Sequence, residues 1–305
     1  MAARKFYGRD GGLSARMFLT MFGLGLIYVV FIGVLIAAGV NAVVILIIAG
    51  GFALVQLLAG DKIALASMRA EVTKPEQAPE LHGIVERLCQ MSDIPKPKVA
   101  VANASIPNAF AAGHSRKSAT VCVTTGLMDT LEPRELEGVI AHELAHIANR
   151  DVIVMTVAGF LATVAGLLIR FGFYSGLGNR NSRDNSAAIF AVVLVASVVV
   201  YVLSFLLLRA LSRYREYAAD RGAAMMTGAP AQLASALGRS SGTMSRIPDR
   251  DLRAAEGMNA FFIIPAMARG FSLSNLASTH PPTEKRIARL MEMQAQLDAS
   301  PTTPL

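Results

Sequence analysis

Charge is scarce in this chain. Of its 305 residues only 17% are charged and 53% are hydrophobic, where soluble domains carry roughly a quarter charged residues. From Met17 to Gly60 no charged residue occurs. That excludes an ordinary soluble globule. Cysteine is scarcer still: Cys89 and Cys122 lack the spacing of a metal or redox motif, so reduced, structural thiols in the cytosol are expected. The net charge is +7, yet no basic stripe with interleaved aromatics is present, which leaves nucleic acid out as a partner. Only five histidines occur, His82, His114, His142, His146 and His280, and no internal repeat is visible.

What is abundant is apolar sequence in long runs. Met17 to Gly60 is too long for one membrane span and suits two of about 20 residues joined near Gly39-Val40-Asn41. Val152 to Ile169 and Ala187 to Leu208 are two further uncharged runs, which predicts four spans. A cleavable signal peptide would also start with Arg4, Lys5, Arg9 and Arg16 and end in small residues such as Ala37-Ala38-Gly39. Its apolar region would be unusually long and a second run follows at once, so the segment is expected to be retained. Lys62, Arg69 and Lys74 after span two, and Arg209, Arg213 and Arg215 after span four, place these flanks in the cytoplasm, where basic residues meet anionic headgroups. Arg170, Arg180 and Arg183 between spans three and four weaken that bias.

The chemistry centres on His142-Glu143-Leu144-Ala145-His146. Residues four apart share a helix face, so both imidazoles can reach one metal ion, with Glu143 beside them as a base. Catalytic zinc takes three protein ligands and a water whose pKa it lowers to about 7. The surroundings suit a helix: Pro133 at its start, Glu135 in its first turn, and an apolar stripe of Leu136, Val139, Ile140, Leu144 and Ile147. Glu132 is a mediocre cap by residue type. The extended three-histidine pattern fails, since Asn149 stands where it needs Gly and Val152 where it needs His. The third ligand is then a carboxylate.

Glu216 and Asp220 lie four apart in a helix-forming stretch and offer such a ligand, with Asp220 placed to hold a ligand histidine; a solvated charged face fits the same spacing. Two spans separate this pair from His142 and His146, and that even number puts all of them on one side of the membrane. A helix running on from His142 into Val152 would set the metal about 15 Å from the start of the span.

Before the motif, Pro79 to Met91 predicts an amphipathic helix, followed by strands at Lys98–Ala102, Asn108–Ala112 and Ala119–Thr124 in an antiparallel meander. Asn108-Ala109-Phe110-Ala111 is either an edge that pairs with a peptide or an ordinary core strand. His114 reads as a solvated loop residue. A helix is expected from Pro230 to about Leu237, a Gly, Ser and Arg-rich connection from Gly238 to Gly257, and a short apolar stretch at 260–265 that packs or touches lipid. His280 and Arg286, at a proline-marked helix start, suit oxyanion stabilisation or simple capping and salt bridging.

Asn108 to Gly113, His142 to His146, Glu216-Tyr217-Ala218-Ala219-Asp220 and Ser278 to Arg286, in this order, resemble the HtpX-like membrane zinc metallopeptidases, related to the CAAX prenyl proteases. The resemblance implies one Zn2+ held by His142, His146 and Glu216, Glu143 as general base, and Asp220 supporting a ligand. It implies substrate or transition-state contacts from Asn108, Ala109, Phe110, His280 and Arg286. The expected protein is α-helical, with four transmembrane helices and a mainly α (α+β) zincin-like cytosolic domain carrying a small antiparallel sheet. Its parts are a cytosolic N-terminus (1–16), a membrane hairpin (17–60), the first part of the protease (61–151), a second hairpin (152–208), the second part (209–299) and a disordered tail (300–305). The implied activity is cleavage of misfolded or damaged membrane proteins or other unfolded polypeptides at the bacterial inner membrane, facing the cytosol, with other quality-control proteases as fitting partners. A processing protease for lipidated C-termini and a catalytically dead membrane scaffold are the competing readings. Residues 238–277 match the family pattern poorly.

Overall fold

The computed structural model describes residues 10–39, 41–176, 186–244, 246 and 280–299. The expectations for residues 1–9, 247–257, 260–265 and the tail beyond Ala299 lie outside the described residues. Helices α1 (Gly11–Ala37) and α2 (Ala42–Ser67) come first, followed by strand β1 (Ala70–Val72), helix α3 (Pro79–Ser92) and strands β2 (Lys98–Ala102), β3 (Ala109–Ala112) and β4 (Thr120–Thr124). Helices α4 (Thr125–Thr130), α5 (Pro133–Asn149), α6 (Asp151–Gly176), α7 (Ser186–Thr227), α8 (Pro230–Met244) and α9 (Thr283–Ala299) complete the described order.

The sheet is mixed, and this corrects the expected meander. Its order is β1-β2-β4-β3: β1 lies antiparallel to β2, β2 runs parallel to β4 with Val99 opposite Val121, and β3 lies antiparallel to β4 with Phe110 opposite Cys122. All five residues of β4 are buried, the mark of a central strand covered on both faces. The chain leaving β2 is anchored beyond the end of β4, where Gly126 and Thr125 both bond the Ala104 carbonyl. A side chain on Gly126 would overlap the Ser105 backbone. The route past β4 therefore depends on that glycine, and it delivers β3 to the sheet's far edge.

The soluble core lies between this sheet and the helices. Leu81, Ile84, Val85 and Leu88 of α3 meet Val121 and Val123, Leu136, Ile140 and Leu144 of α5, Leu233 and Leu237 of α8, and Leu290 of α9. Helix α8 runs to Met244 where a loop from Gly238 was expected. Leu233, Leu237, Ser240 and Met244 form a buried stripe, and that burial outweighs the poor propensity of its glycines and serines.

Helix α5 starts with a reciprocal cap: Glu132 accepts from the Glu135 amide while the Glu135 carboxylate accepts from the Glu132 amide. Glu132 therefore caps well despite its type, because a glutamate stands three residues on. Glu135 is buried and is bonded by Ser235 and paired with Arg239 of α8 at 2.9 Å.

Among the described residues two helices, α1 and the Ala188–Thr227 part of α7, are long and apolar enough to cross a membrane, and a third results if the bent pair Asp151–Phe160 and Ala162–Arg170 is one span. Their outer faces carry exposed Phe18, Phe22, Val29, Val157, Val195 and Leu206, a surface that water does not suit. Four spans were expected and two are found by this measure; α2 is an apolar helix of 26 residues with Val43, Ile47 and Val55 exposed. The continuous helix expected from His142 into span three is broken. Arg150 adopts a left-handed conformation (φ 57°), ending α5 at Asn149, and α6 restarts at Asp151.

Candidate metal centre

Helix α5 crosses α7 at the motif, and their contact brings together residues far apart in sequence. His142 Nε2 and His146 Nε2 lie 3.1 Å apart. Glu216 Oε2 is 3.5 Å from the first and Oε1 is 3.4 Å from the second. The three side chains offer ligand atoms that all lie within 4.8 Å of one another. A tetrahedral zinc site with metal–ligand bonds of about 2.0–2.1 Å separates its ligands by about 3.3–3.4 Å, and the observed spacings bracket that value.

The outer nitrogens decide which atoms face inward. His142 Nδ1 lies 3.0 Å from Asp220 Oδ1, and His146 Nδ1 lies 2.6 Å from Asp151 Oδ2. A carboxylate only accepts, so each Nδ1 carries the proton and each Nε2 turns its lone pair toward the other and toward Glu216. Two imidazole lone pairs and a carboxylate converging in a buried place suit a metal cation. Burial alone would lower the pKa of His142, but its hydrogen bonds to Asp220 and Glu216 outweigh this and raise it; His146 behaves alike through Glu216. The centre thus draws positive charge, and the residues present fit a divalent ion.

Arg286 is packed against the cluster and is not among the residues that line the cleft. Its guanidinium clamps Asp220, with Nε to Oδ2 at 2.9 Å and Nη2 to Oδ1 at 2.6 Å, and lies 3.3 Å from Glu216. It is almost fully buried. Burial would lower its pKa, and the charges of Asp220 and Glu216 raise it instead. These contacts give Arg286 the ion-pairing role that was one of the two expected for it. His280 does line the cleft, with Nδ1 3.0 Å from Glu216 Oε2.

Glu143 is buried beside the histidines, and burial holds its carboxyl above the ordinary range; the backbone of Ala111 in β3 hydrogen-bonds to it. The cleft in front measures about 420 Å3 and is lined by β3 from Ala109 to Ala112, by His142, Glu143 and His146, and by residues of α2, α6 and α7. Ala109 and Phe110 line it; Asn108 does not, and its backbone bonds with Thr124. His114 is half-buried on the turn after β3 and stands outside the ligand cluster.

Asp151 was missed from the sequence. It holds His146, and its other oxygen is paired with Arg215, which also donates to the Asn149 carbonyl at 3.0 Å. The signal was an acid just past the end of the motif helix, which a continuous helix would have turned away from His146.

Two motif histidines, a carboxylate from a distant helix, a buried glutamate and an open cleft define a metalloprotease, and its apolar helices associate it with a membrane. Peptidase family M48 matches residues 75–294. The chain is 50% identical over 297 residues to "Protease HtpX homolog" of Moorella thermoacetica, covering 97% of this chain and 99% of that one. It is 49% identical over 294 residues to "Protease HtpX homolog 2" of Methanosarcina mazei, covering 96% and 99%. The crystal structure of S. mikatae Ste24p matches with a TM-score of 0.55 at 17% identity, over 92% of this chain and 66% of that one, a likeness of fold. The chain belongs to peptidase family M48, as an HtpX-type membrane protease.

Proposed function

We propose that this protein is an integral-membrane zinc endopeptidase that cleaves misfolded or damaged membrane proteins on the cytosolic side of a bacterial inner membrane. The observation that carries this reading is the convergence of His142, His146 and Glu216 at the base of a cleft bordered by an edge strand. The four-span arrangement, with α2 and α6 as spans two and three and protease parts at 61–151 and 209–299, belongs to the same proposal. An edge strand pairs with any extended backbone, which suits a protease for unfolded segments more than one for a single sequence.

His142, His146 and Glu216 would hold zinc, which supplies a Lewis acid that acidifies water and polarises the scissile carbonyl. Asp220 and Asp151 keep the ligand imidazoles in one tautomer and orientation. β3 aligns the peptide. Glu143 takes a proton from the attacking water onto its carboxylate and returns it to the departing amine nitrogen, a role favoured by its raised pKa. His280 stands in the cleft where developing negative charge on the carbonyl oxygen can be met.

The test is cleavage of unfolded β-casein by detergent-purified, zinc-loaded protein, with Glu143→Gln alongside. The expected result is cleavage by the native protein and a loss of about 10²–10⁴ in rate in the variant with zinc retained. Equal cleavage by both would overturn the mechanism. No cleavage by either with zinc bound would favour the narrow processing enzyme or the scaffold.

A further inference from the structure

Asp61 is the first charged residue after the uncharged stretch that begins at Met17. It sits near the end of α2 on the stripe Leu57, Gly60, Asp61 and Ala64, which shares one helix face. Ala64 is buried against Ala100, Ala102, Phe110 and Ala112 of the sheet. That packing turns the stripe inward: Leu57, Gly60 and Asp61 all line the metal-centre cleft, whereas Lys62 and Ile63 are exposed. A carboxylate is therefore kept on the inner face of an otherwise apolar helix.

Among the described residues its charge meets no cationic side chain. Asp61 accepts a hydrogen bond from the Lys62 amide at 2.9 Å. The guanidinium that lines the same cleft, Arg215, is committed to Asp151 and to the Asn149 carbonyl. The remaining acids of the cleft face the metal ligands or hold them. A partly exposed carboxylate on the wall of this cleft is open to a cationic group of whatever enters, and what enters a peptidase cleft is the substrate.

We propose that Asp61 determines specificity by receiving a lysine or arginine side chain of the bound polypeptide, at one fixed distance from the bond that is cut. This rests on the reading of the cleft as a peptidase site. The location of Asp61 at the last apolar turns of α2 makes the choice of cation meaningful. The cytosolic flanks of membrane spans are enriched in lysine and arginine. A carboxylate held at the edge of the apolar region selects the segment where a substrate's own span emerges, and directs cleavage there.

The test uses zinc-loaded full-length protein in detergent and a set of extended alanine-rich peptides in which a single lysine, glutamate or alanine is moved through each position. The readout is the ratio of kcat/KM for a lysine peptide over its alanine counterpart within each protein, so that general losses cancel. In the native protein the ratio is expected to reach roughly three- to tenfold at one position, the size of a single partly exposed charge contact, and to fall as salt is raised. Asp61→Asn should bring it to about one, and Asp61→Lys should reverse it in favour of glutamate. A native ratio near one at every position, a ratio unaffected by salt, or the same preference in Asp61→Asn would overturn the assignment. Failure to cleave any peptide while β-casein is cut would also overturn the assignment, whereas failure on β-casein as well, with Glu143→Gln as the blank, would overturn the peptidase reading beneath it.

Discussion

Gly222 of α7 and Ala145 of α5 lie so close that a Cβ added to Gly222 would stand 2.7 Å from the Ala145 Cβ. Ala145 precedes ligand His146, and Gly222 follows Asp220 by two residues. This contact sets how near the two helices bring their metal-binding faces. Gly222→Ala gains up to about 1 kcal/mol of helix propensity and costs about 1–3 kcal/mol of overpacking, so the clash wins. A lower Tm and weaker zinc retention are expected in thermal unfolding and chelator competition; an unchanged protein on both counts would refute the role of this contact.

The three ligands and their two supports should separate in zinc titrations. Glu216→Ala removes a ligand and is expected to leave no stoichiometric zinc after dialysis. Asp151→Asn and Asp220→Asn leave the ligands in place and should weaken zinc by about 10- to 100-fold. Normal zinc occupancy in Glu216→Ala would send the third ligand elsewhere.

Arg286 offers a test between support and catalysis. Removing one member of a buried ion pair costs about 3–5 kcal/mol, so Arg286→Ala should unfold at lower temperature and lose zinc, because Asp220 and Glu216 are left unpaired. Lysine cannot reproduce the two-pronged contact, so Arg286→Lys should recover only part of the loss. A variant that kept full zinc and stability but lost kcat would restore the oxyanion role.

The two thiols should be inert. Burial pushes Cys89 up to about 11 and Cys122 up to about 12, and because a raised thiol pKa removes thiolate, which is the nucleophile, neither should react at neutral pH. Mass spectrometry after iodoacetamide treatment should find no alkylation of the folded protein and two modified sites after denaturation. Rapid labelling of either cysteine in the native state would contradict the burial described.

Much of the centre was legible because its signals are periodic or local. The four-residue spacing of His142 and His146 and of Glu216 and Asp220 fixes helix faces whatever the rest of the chain does. The failure of the three-histidine pattern at Val152 forced a search for a carboxylate, and Glu216 lies with the two histidines in the structure. What could not be read depended on long-range routing. The place of β3 at the sheet edge follows from how the loop after β2 packs on Gly126, and nothing in the strand's own residues encodes the parallel pairing of β2 with β4. The helix break at Arg150 hid Asp151, since a left-handed arginine has no sequence signature. Helix α8 outlasted its expected end because its stripe of buried residues exceeds the local cost of Gly238 and Gly242. For Arg286 the sequence left salt bridging and oxyanion stabilisation open, because it shows the nearness to His280 but not that Asp220 lies within reach of the guanidinium.

Helix α7 runs unbroken from Ser186 to Thr227, a rod of about 63 Å at 1.5 Å per residue. Its apolar part and Glu216 consequently have no joint between them, whereas the histidines reach α6 only through the kink at Arg150. Sliding the rod by one turn, about 5.4 Å, would carry Glu216 out of register with His142 and His146. The helix that carries the apolar surface and the helix that carries the third ligand are one and the same, so Glu216 is tied to the membrane-facing part of the protein more directly than either histidine is.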